Sequence, residues 1–170
     1  VDTRGYFGAS SIRHDKLWDI EPSKAEEDAV KAQYKRLGLQ WGMSGNPDGA
    51  VIVALQHRTD TGCYRYFPLR HGAADSIATM LEICAKHLPN RPVIVRPHPR
   101  YRSQWEERAG VYQKIMRPGW TVNMDGSIYP MLASASALVT VNSTTAVEAM
   151  AMNIPVATVG EGVWTDSHAM

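Results

Sequence analysis

Apolar and polar positions alternate in blocks along the chain, and the blocks predict strands that alternate with helices. Several short apolar runs, each bounded by polar or turn-forming residues, have the length of buried parallel strands. They are residues 50–55, 92–96, 120–123, 137–141 and 155–160. The segments between them predict helices over 73–87, 103–116, 127–134 and 145–153. This alternation predicts a parallel sheet with right-handed crossovers, and hence an α/β, Rossmann-like doubly wound domain.

The beginning of the chain has a different character. Residues 1–18 are irregular and aromatic, and residues 42–49 are rich in glycine and turn formers. Between them, Ser23 followed by Glu26 forms the pattern of a capping box and predicts a helix that runs to about Gly38. We therefore predict an N-terminal irregular segment, helix and linker over 1–49 and the Rossmann-like domain over 50–170. We expect that domain to be truncated at both ends.

Composition narrows the class of protein. The chain has 170 residues, a hydrophobic fraction of 44% and a formal net charge of +1. This length fits one domain with a substantial core, and the charge gives no reason to expect a nucleic-acid partner. The two cysteines, Cys63 and Cys84, form no spaced framework, which favours a reducing compartment. Without a long apolar run or a signal-peptide pattern, we expect a cytoplasmic protein with at most peripheral contact at the inner membrane face.

Polar clusters follow three of the predicted strands at the point where each strand ends. They are residues 56–60, 96–99 and 142–145. In an open parallel sheet, ligands bind beyond the carboxyl ends of the strands. The three clusters are therefore expected to meet over one rim of the sheet and to form one shared site.

The second cluster contains a histidine between two prolines. Pro97 and Pro99 fix the backbone on either side of His98, so the imidazole is held stiffly at the sheet edge. A histidine there can donate to a phosphate oxygen, and Arg96 and Arg100 add positive charge suited to phosphate or carboxylate. A surface turn with no function is the alternative.

The third cluster is a run of four residues that each favour a helix start. Asn142, Ser143, Thr144 and Thr145 precede a predicted helix, whose first-turn N–H groups and dipole favour an anion. One such residue suffices as a cap, and the excess favours a phosphate site. Glu148, one turn further on, is placed to accept from a ribose diol, or it simply complements the helix dipole.

The first cluster gives Gln56, which can read a base or sugar edge, and Asp60, which can accept from a hydroxyl. Ordinary loop polarity explains both equally well. The remaining histidines show no ligand spacing, and neither a dinucleotide-binding nor a P-loop motif occurs. No metal or cofactor is therefore predicted. Together the clusters suggest a site for a nucleotide-linked sugar.

These motifs, in this order, resemble the bacterial capsule polysaccharide synthesis family. The resemblance rests on Leu55-Gln56 with Asp60, on Pro97-His98-Pro99, and on Asn142–Thr145 with Glu148 before a valine-rich strand. That family consists of glycosyltransferases of the two-Rossmann-domain (GT-B) type, including Kdo transferases, and its histidine–proline pair and serine-rich turn recur in bacterial sialyltransferases that use a CMP-sugar donor. One departure is Arg96, where the family often has lysine.

The resemblance implies that the chain is the C-terminal, donor-binding half of such an enzyme. His98 would contact the donor phosphate, and Ser143, Thr144 and Thr145 would hold the phosphate or the sugar carboxylate. Glu148 would bind ribose, and Gln56 and Asp60 would line the cleft. The catalytic base would lie in an absent N-terminal domain, so this chain alone would bind donor without turnover.

The implied reaction transfers Kdo or a related acidic sugar from a CMP-sugar to a polysaccharide or glycolipid acceptor. Non-hydrolysing UDP-sugar 2-epimerases share the fold, but they would carry glycines where this chain has Thr144 and Thr145. Glycerophosphotransferase chemistry and a non-catalytic nucleotide- or carbohydrate-binding module stay open as further alternatives.

Overall fold

The computed structural model describes residues 23–36, 45–57 and 75–160 of the protein. Its strands are β1 (Val51–Ala54), β2 (Val93–Arg96), β3 (Thr121–Val122), β4 (Ala137–Thr140) and β5 (Val156–Thr158). Its helices are α1 (Lys24–Arg36), α2 (Ser76–His87), α3 (Arg102–Ile115), α4 (Tyr129–Ala133) and α5 (Thr145–Ala151), and a 3₁₀ turn, Pro99–Tyr101, precedes α3. Each predicted strand and helix of the α/β unit is present; most have slightly narrower bounds, and α3 has its predicted length but begins one residue earlier.

The described strands form one parallel sheet in the order β3-β2-β1-β4-β5. Chain order therefore reverses beside β1, where β2 lies on one side and β4 on the other. In open α/β sheets this reversal leaves a crevice at the carboxyl ends of the strands, where ligands bind. The predicted Rossmann-like, doubly wound architecture is confirmed.

Helices cover both faces of the sheet. Successive residues of β1 point to opposite faces, so Val51 and Val53 pack with α2 and α3, whereas Ile52 and Ala54 pack with α4 and α5. Because β1 is buried on both faces, it has no polar side chain, which explains its continuous apolar sequence.

The start of α1 follows the predicted capping box. The Ser23 N–H donates to Glu26 Oε2 at 2.8 Å, and the Glu26 N–H donates to Ser23 Oγ at 3.3 Å. Hydrogen bonds from the Ser23 hydroxyl and N–H lower the pKa of Glu26. Residues 1–22, which include the predicted irregular segment, lie outside the described residues.

Asp75 caps α2, a role that the sequence analysis did not assign. Its Oδ1 accepts from the N–H groups of Ile77 at 3.0 Å and Ala78 at 3.2 Å. Its Oδ2 accepts from Arg108 Nη1 at 2.6 Å and from the Tyr112 hydroxyl at 2.9 Å, both on α3. This buried carboxylate thus fixes α3 against α2, and α3 continues directly from the 3₁₀ turn that follows β2.

The described end of the predicted linker is packed against the domain. A Cβ atom added to Gly49 would lie 2.0 Å from the Ser134 carbonyl oxygen, and one added to Gly45 would lie 2.3 Å from the Ala135 carbonyl oxygen. Glycine is required at both positions because the backbone of the segment before β4 approaches so closely. In the part of the chain that the structure describes, no helix is both long enough and apolar enough to cross a membrane.

Candidate functional site

A cleft of about 340 Å³ opens at the carboxyl ends of β1, β2 and β4. Four separate stretches of the chain line it. They are Ala54 and Leu55, then Arg96–Pro99, then Gly126–Ile128, and finally Ser143–Thr145. The structure therefore brings His98 and the hydroxyl-rich turn, Ser143–Thr145, into one cleft, at the point where strand order reverses.

His98 stands at the start of the 3₁₀ turn, and its ring has a defined hydrogen-bonding direction. Its Nδ1 accepts from the Arg100 N–H at 3.3 Å. A neutral imidazole that accepts through Nδ1 carries its proton on Nε2, which is then a donor. Pro97 is buried and Pro99 begins the turn, so the backbone on both sides of the ring is restricted.

The hydroxyl-rich turn presents side chains to the cleft instead of using them all for capping. Ser143 Oγ accepts from the Thr145 N–H at 3.3 Å and bonds to Thr145 Oγ1 at 3.1 Å. Thr144 is the exposed residue at the helix cap, and its side chain makes no capping hydrogen bond within the described part of the chain. Of the three hydroxyl side chains, that of Ser143 therefore accepts a weak capping bond from the first turn of α5, and that of Thr144 stays exposed beside the cleft.

Gln56 and Asn142 are paired with each other beneath this rim. Gln56 Nε2 donates to Asn142 Oδ1 at 2.7 Å, and the Asn142 backbone N–H donates to Gln56 Oε1 at 2.7 Å. Both residues are buried, and neither is among the described residues that line the cleft. The pair joins the ends of β1 and β4, and so sets where the hydroxyl-rich turn begins.

Arg96 lines the cleft, but its guanidinium is directed at backbone carbonyls. Nη1 donates to the carbonyl oxygens of Asn123 at 3.1 Å and Asp125 at 2.8 Å, and Nη2 donates to that of Gly126 at 2.6 Å. The residue is only 3% exposed, and desolvation lowers the pKa of its guanidinium, partly offset by the Asp125 carboxylate. Arg96 therefore holds the loop after β3, whose continuation, Gly126–Ile128, forms a wall of the cleft.

That wall is a part of the site that the sequence analysis missed. Ser127 adds a hydroxyl, and Ile128 adds an apolar surface. Gly126 has φ +67°, a left-handed conformation that glycine adopts without strain. The Asp125-Gly126 turn after a predicted strand was the only local sign of this loop.

Glu148, in the first turn of α5, is not among the described residues that line the cleft. Its Oε1 accepts from the Tyr129 hydroxyl on α4 at 3.0 Å, and the carboxylate is half-buried. Asp60 lies outside the described residues. Among the residues that the structure describes, no cluster of three or more histidine, cysteine or acidic side chains is arranged to hold a metal ion.

Several solved structures are similar to this chain in fold. They include Thermosulfurimonas dismutans KpsC, beta Kdo 2,7 transferase (TM-score 0.68, 17% identity) and Thermosulfurimonas dismutans KpsC, beta Kdo 2,4 transferase (TM-score 0.58, 15% identity). Each similarity covers 95% of this chain but only 49% and 53% of the respective KpsC chain. The chain thus spans about half the length of these neighbours, and at this identity the likeness concerns the fold.

A search of curated proteins gives no significant match. The profile of one family, described as "Putative glycosyltransferase (DUF6716)", matches residues 66–166, which is more than half of the chain. The matched range contains the Pro97-His98-Pro99 segment and the hydroxyl-rich turn. This chain therefore belongs to the DUF6716 family of glycosyltransferase-like proteins.

Proposed function

We propose that the chain is the donor-binding half of a glycosyltransferase that transfers Kdo or a related acidic sugar from a CMP-sugar. The acceptor is a polysaccharide or glycolipid. The observation that carries the proposal is the convergence of His98 and Ser143–Thr145 in one cleft at the strand-order reversal of a Rossmann-like sheet. Family membership supports glycosyl transfer, and the Kdo transferase activity of the two KpsC neighbours supports an acidic sugar.

The chemistry follows from where negative charge develops. As the bond between the sugar carbon and the phosphate oxygen breaks, the departing CMP gains charge on its phosphate. His98 donates to that phosphate through Nε2–H, and the hydroxyls of the turn donate beside it. Donors that are already oriented stabilise the transition state without reorganisation, and losing one such donor costs about 2.7–4 kcal/mol of barrier. The protein supplies this stabilisation itself, so no metal is part of the proposal.

The other predicted site residues have different positions, and their proposed roles differ accordingly. Arg96 shapes the wall Gly126–Ile128 through three carbonyls, and the Gln56–Asn142 pair fixes the start of the hydroxyl-rich turn. Glu148 accepts from the ribose diol while the Tyr129 hydroxyl holds its carboxylate. For Asp60, which follows β1 in the sequence, the proposed role is to line the cleft.

We infer that the catalytic base lies in a second Rossmann-like domain; the fact that the chain spans about half of each KpsC neighbour supports the existence of such a domain. The chain alone then binds donor, and transfer requires the longer protein. We place this enzyme in the cytoplasm, with at most peripheral contact with the inner membrane face, where a glycolipid acceptor is accessible.

Calorimetric titration of the chain with CMP, UDP and CDP tests the proposal. CMP should bind, UDP should bind more weakly, and His98→Ala should weaken CMP binding by about ten- to a hundredfold, because a hydrogen bond to a charged group is lost. Lys114→Ala, on the exposed side of α3, is the control and should leave the affinity unchanged. Preference for UDP together with epimerisation of UDP-GlcNAc by the longer protein would replace transfer with isomerase chemistry, and binding of none of the three nucleotides would reject the donor site.

A further inference from the structure

Three arginines lie at the end of β2 and shortly after it, and they differ in what their guanidinium groups contact. Arg96 is buried and donates to three backbone carbonyls of the loop after β3. Arg102, at the start of α3, forms an ion pair with the Asp125 carboxylate on the same loop. Arg100 is exposed, and its guanidinium makes neither a hydrogen bond nor an ion pair within the described part of the chain. Of the three, Arg100 can therefore bind a ligand without breaking an existing contact.

The backbone at Arg100 is fixed beside the cleft. The preceding residue, Pro99, lines the cleft, and the Arg100 N–H donates to His98 Nδ1 at 3.3 Å. The N–H of the next residue, Tyr101, donates to the His98 carbonyl at 2.9 Å, and the centroid of the Tyr101 ring lies 5.0 Å from that of His98 and 3.8 Å from that of His57. The side chain of Arg100 thus begins on a well-anchored turn, two residues from the imidazole.

The chemistry of an acidic sugar donor places a second anion close to the phosphate. In a CMP-linked 2-keto sugar acid such as Kdo, the carbon that carries the phosphate oxygen also carries a carboxylate. A phosphate bound at His98 therefore brings this carboxylate to within the reach of an arginine on the same turn. The planar guanidinium matches a carboxylate with two parallel hydrogen bonds, and it stays charged at any physiological pH. A neutral sugar donor would offer Arg100 no such group.

We propose that Arg100 binds the carboxylate of the donor sugar and so favours an acidic sugar over a neutral one. This deepens the proposed function and rests on it for the position of the phosphate. It assigns the two anions of the donor to different groups: His98 and the hydroxyl-rich turn bind the phosphate, and Arg100 binds the carboxylate. The contact between the Arg100 backbone and His98 uses only the N–H, so a substitution of the side chain leaves it in place.

Calorimetric titration with two matched ligands tests the assignment. The first is the CMP-linked phosphonate analogue of Kdo, in which a methylene group replaces the oxygen between sugar and phosphate and prevents hydrolysis. The second is the same compound with its carboxylate reduced to a hydroxymethyl group. The wild-type chain should bind the acid about ten- to thirtyfold more tightly than the alcohol, because charge-assisted hydrogen bonds are lost with the carboxylate.

Substitutions of Arg100 should act on this ratio of affinities. Arg100→Gln should lower the ratio to about threefold or less, chiefly by weakening binding of the acid, and Arg100→Lys should give an intermediate ratio because an ammonium group keeps the charge without the planar fork. Lys114→Gln removes the same charge from the exposed far end of α3 and is the matched control. A wild-type chain that does not prefer the acid, a preference that survives Arg100→Gln, or an equal loss in Lys114→Gln overturns the proposal.

Nitrogen-15 NMR of the arginine side chains gives a readout that does not depend on affinity. The Nε–H signal of Arg100, assigned by its loss in Arg100→Gln, should shift when the chain is saturated with the acid and should stay near its free position with the alcohol. Equal shifts with the two ligands would show that the guanidinium responds to the phosphate or the nucleoside, and would overturn the assignment of the carboxylate.

Titration with CMP alone separates this inference from the proposed function. CMP has no sugar carboxylate, so its binding reports the donor site and should stay within about threefold of the wild type in Arg100→Gln, the range of a nearby charge that makes no direct contact. If CMP binds and the chain is indifferent to the sugar carboxylate, the donor site holds and the role of Arg100 is wrong. If the wild-type chain binds neither CMP nor the two analogues, the donor site itself is wrong, and the role of Arg100 is rejected with it.

Discussion

Replacing Arg96 by methionine tests whether this buried charge organises the wall of the cleft. Methionine keeps most of the apolar stem and removes the whole guanidinium. Three backbone carbonyls, of Asn123, Asp125 and Gly126, then lose their donor. The substitution is therefore expected to affect both stability and binding, through the loop after β3.

The magnitude follows from the bonds that are lost. A hydrogen bond from a charged donor contributes about 1.5–3 kcal/mol net, and three bonds from one group do not add fully. Arg96 is only 3% exposed, and the burial that lowers the pKa of its guanidinium also opposes its charge, so removing the group offsets part of the loss. We expect Arg96→Met to lower the free energy of unfolding by about 2–4 kcal/mol, which a typical domain survives.

Urea denaturation measures the stability, and CMP titration measures the site. Arg96→Lys should fall between the wild type and Arg96→Met, because an ammonium group cannot reach three carbonyls in the planar geometry of a guanidinium. Arg36→Met, at the exposed end of α1, is the matched control and should change stability by less than about 0.5 kcal/mol. An Arg96→Met chain that unfolds at the wild-type urea concentration and binds CMP normally would refute this reasoning.

Three further predictions concern other parts of the molecule. In the longer protein with its second domain, His98→Ala should lower the transfer rate by about 10²–10³-fold with the fold intact, and near-normal transfer would contradict the role of the imidazole. Asp75→Ala should lower the free energy of unfolding by about 2–4 kcal/mol, because it removes the N-cap of α2 and the acceptor of the hydrogen bonds from Arg108 and Tyr112 on α3. Glu82→Ala, exposed on the same helix, should have little effect in the same urea experiment. Gly49→Ala should destabilise the protein by about 1–3 kcal/mol, because the added methyl group clashes with the Ser134 carbonyl oxygen. Gly110→Ala has open space around the added methyl group inside α3 and should stabilise the protein by about 0.5–1 kcal/mol. Equal shifts of the melting temperature for the two variants would contradict the packing of the linker.

The candidate site was predictable from the sequence in outline and not in its contacts. The sequence placed His98 and the hydroxyl-rich turn at the ends of strands, and a parallel sheet brings such ends to one rim. It gave no indication that Gln56 would pair with Asn142, 86 residues away, or that Arg96 would bind carbonyls of a loop. These partners depend on which strands become neighbours, and apolar runs alone do not specify strand order.

The sequence by itself determined the alternation of strands and helices, the parallel sense of the sheet and the segments that carry polar chemistry, because each of these depends on local periodicity and on where an apolar run ends. The tertiary structure decided the strand order, the burial of Asp75 between α2 and α3, and the contacts of the Tyr101 ring with the rings of His57 and His98. The physical reason is the distance along the chain over which each feature is set. Hydrophobic patterning reports how one segment meets the core, whereas a side chain's partners across the sheet are fixed only once the crossovers have set every strand beside its neighbours.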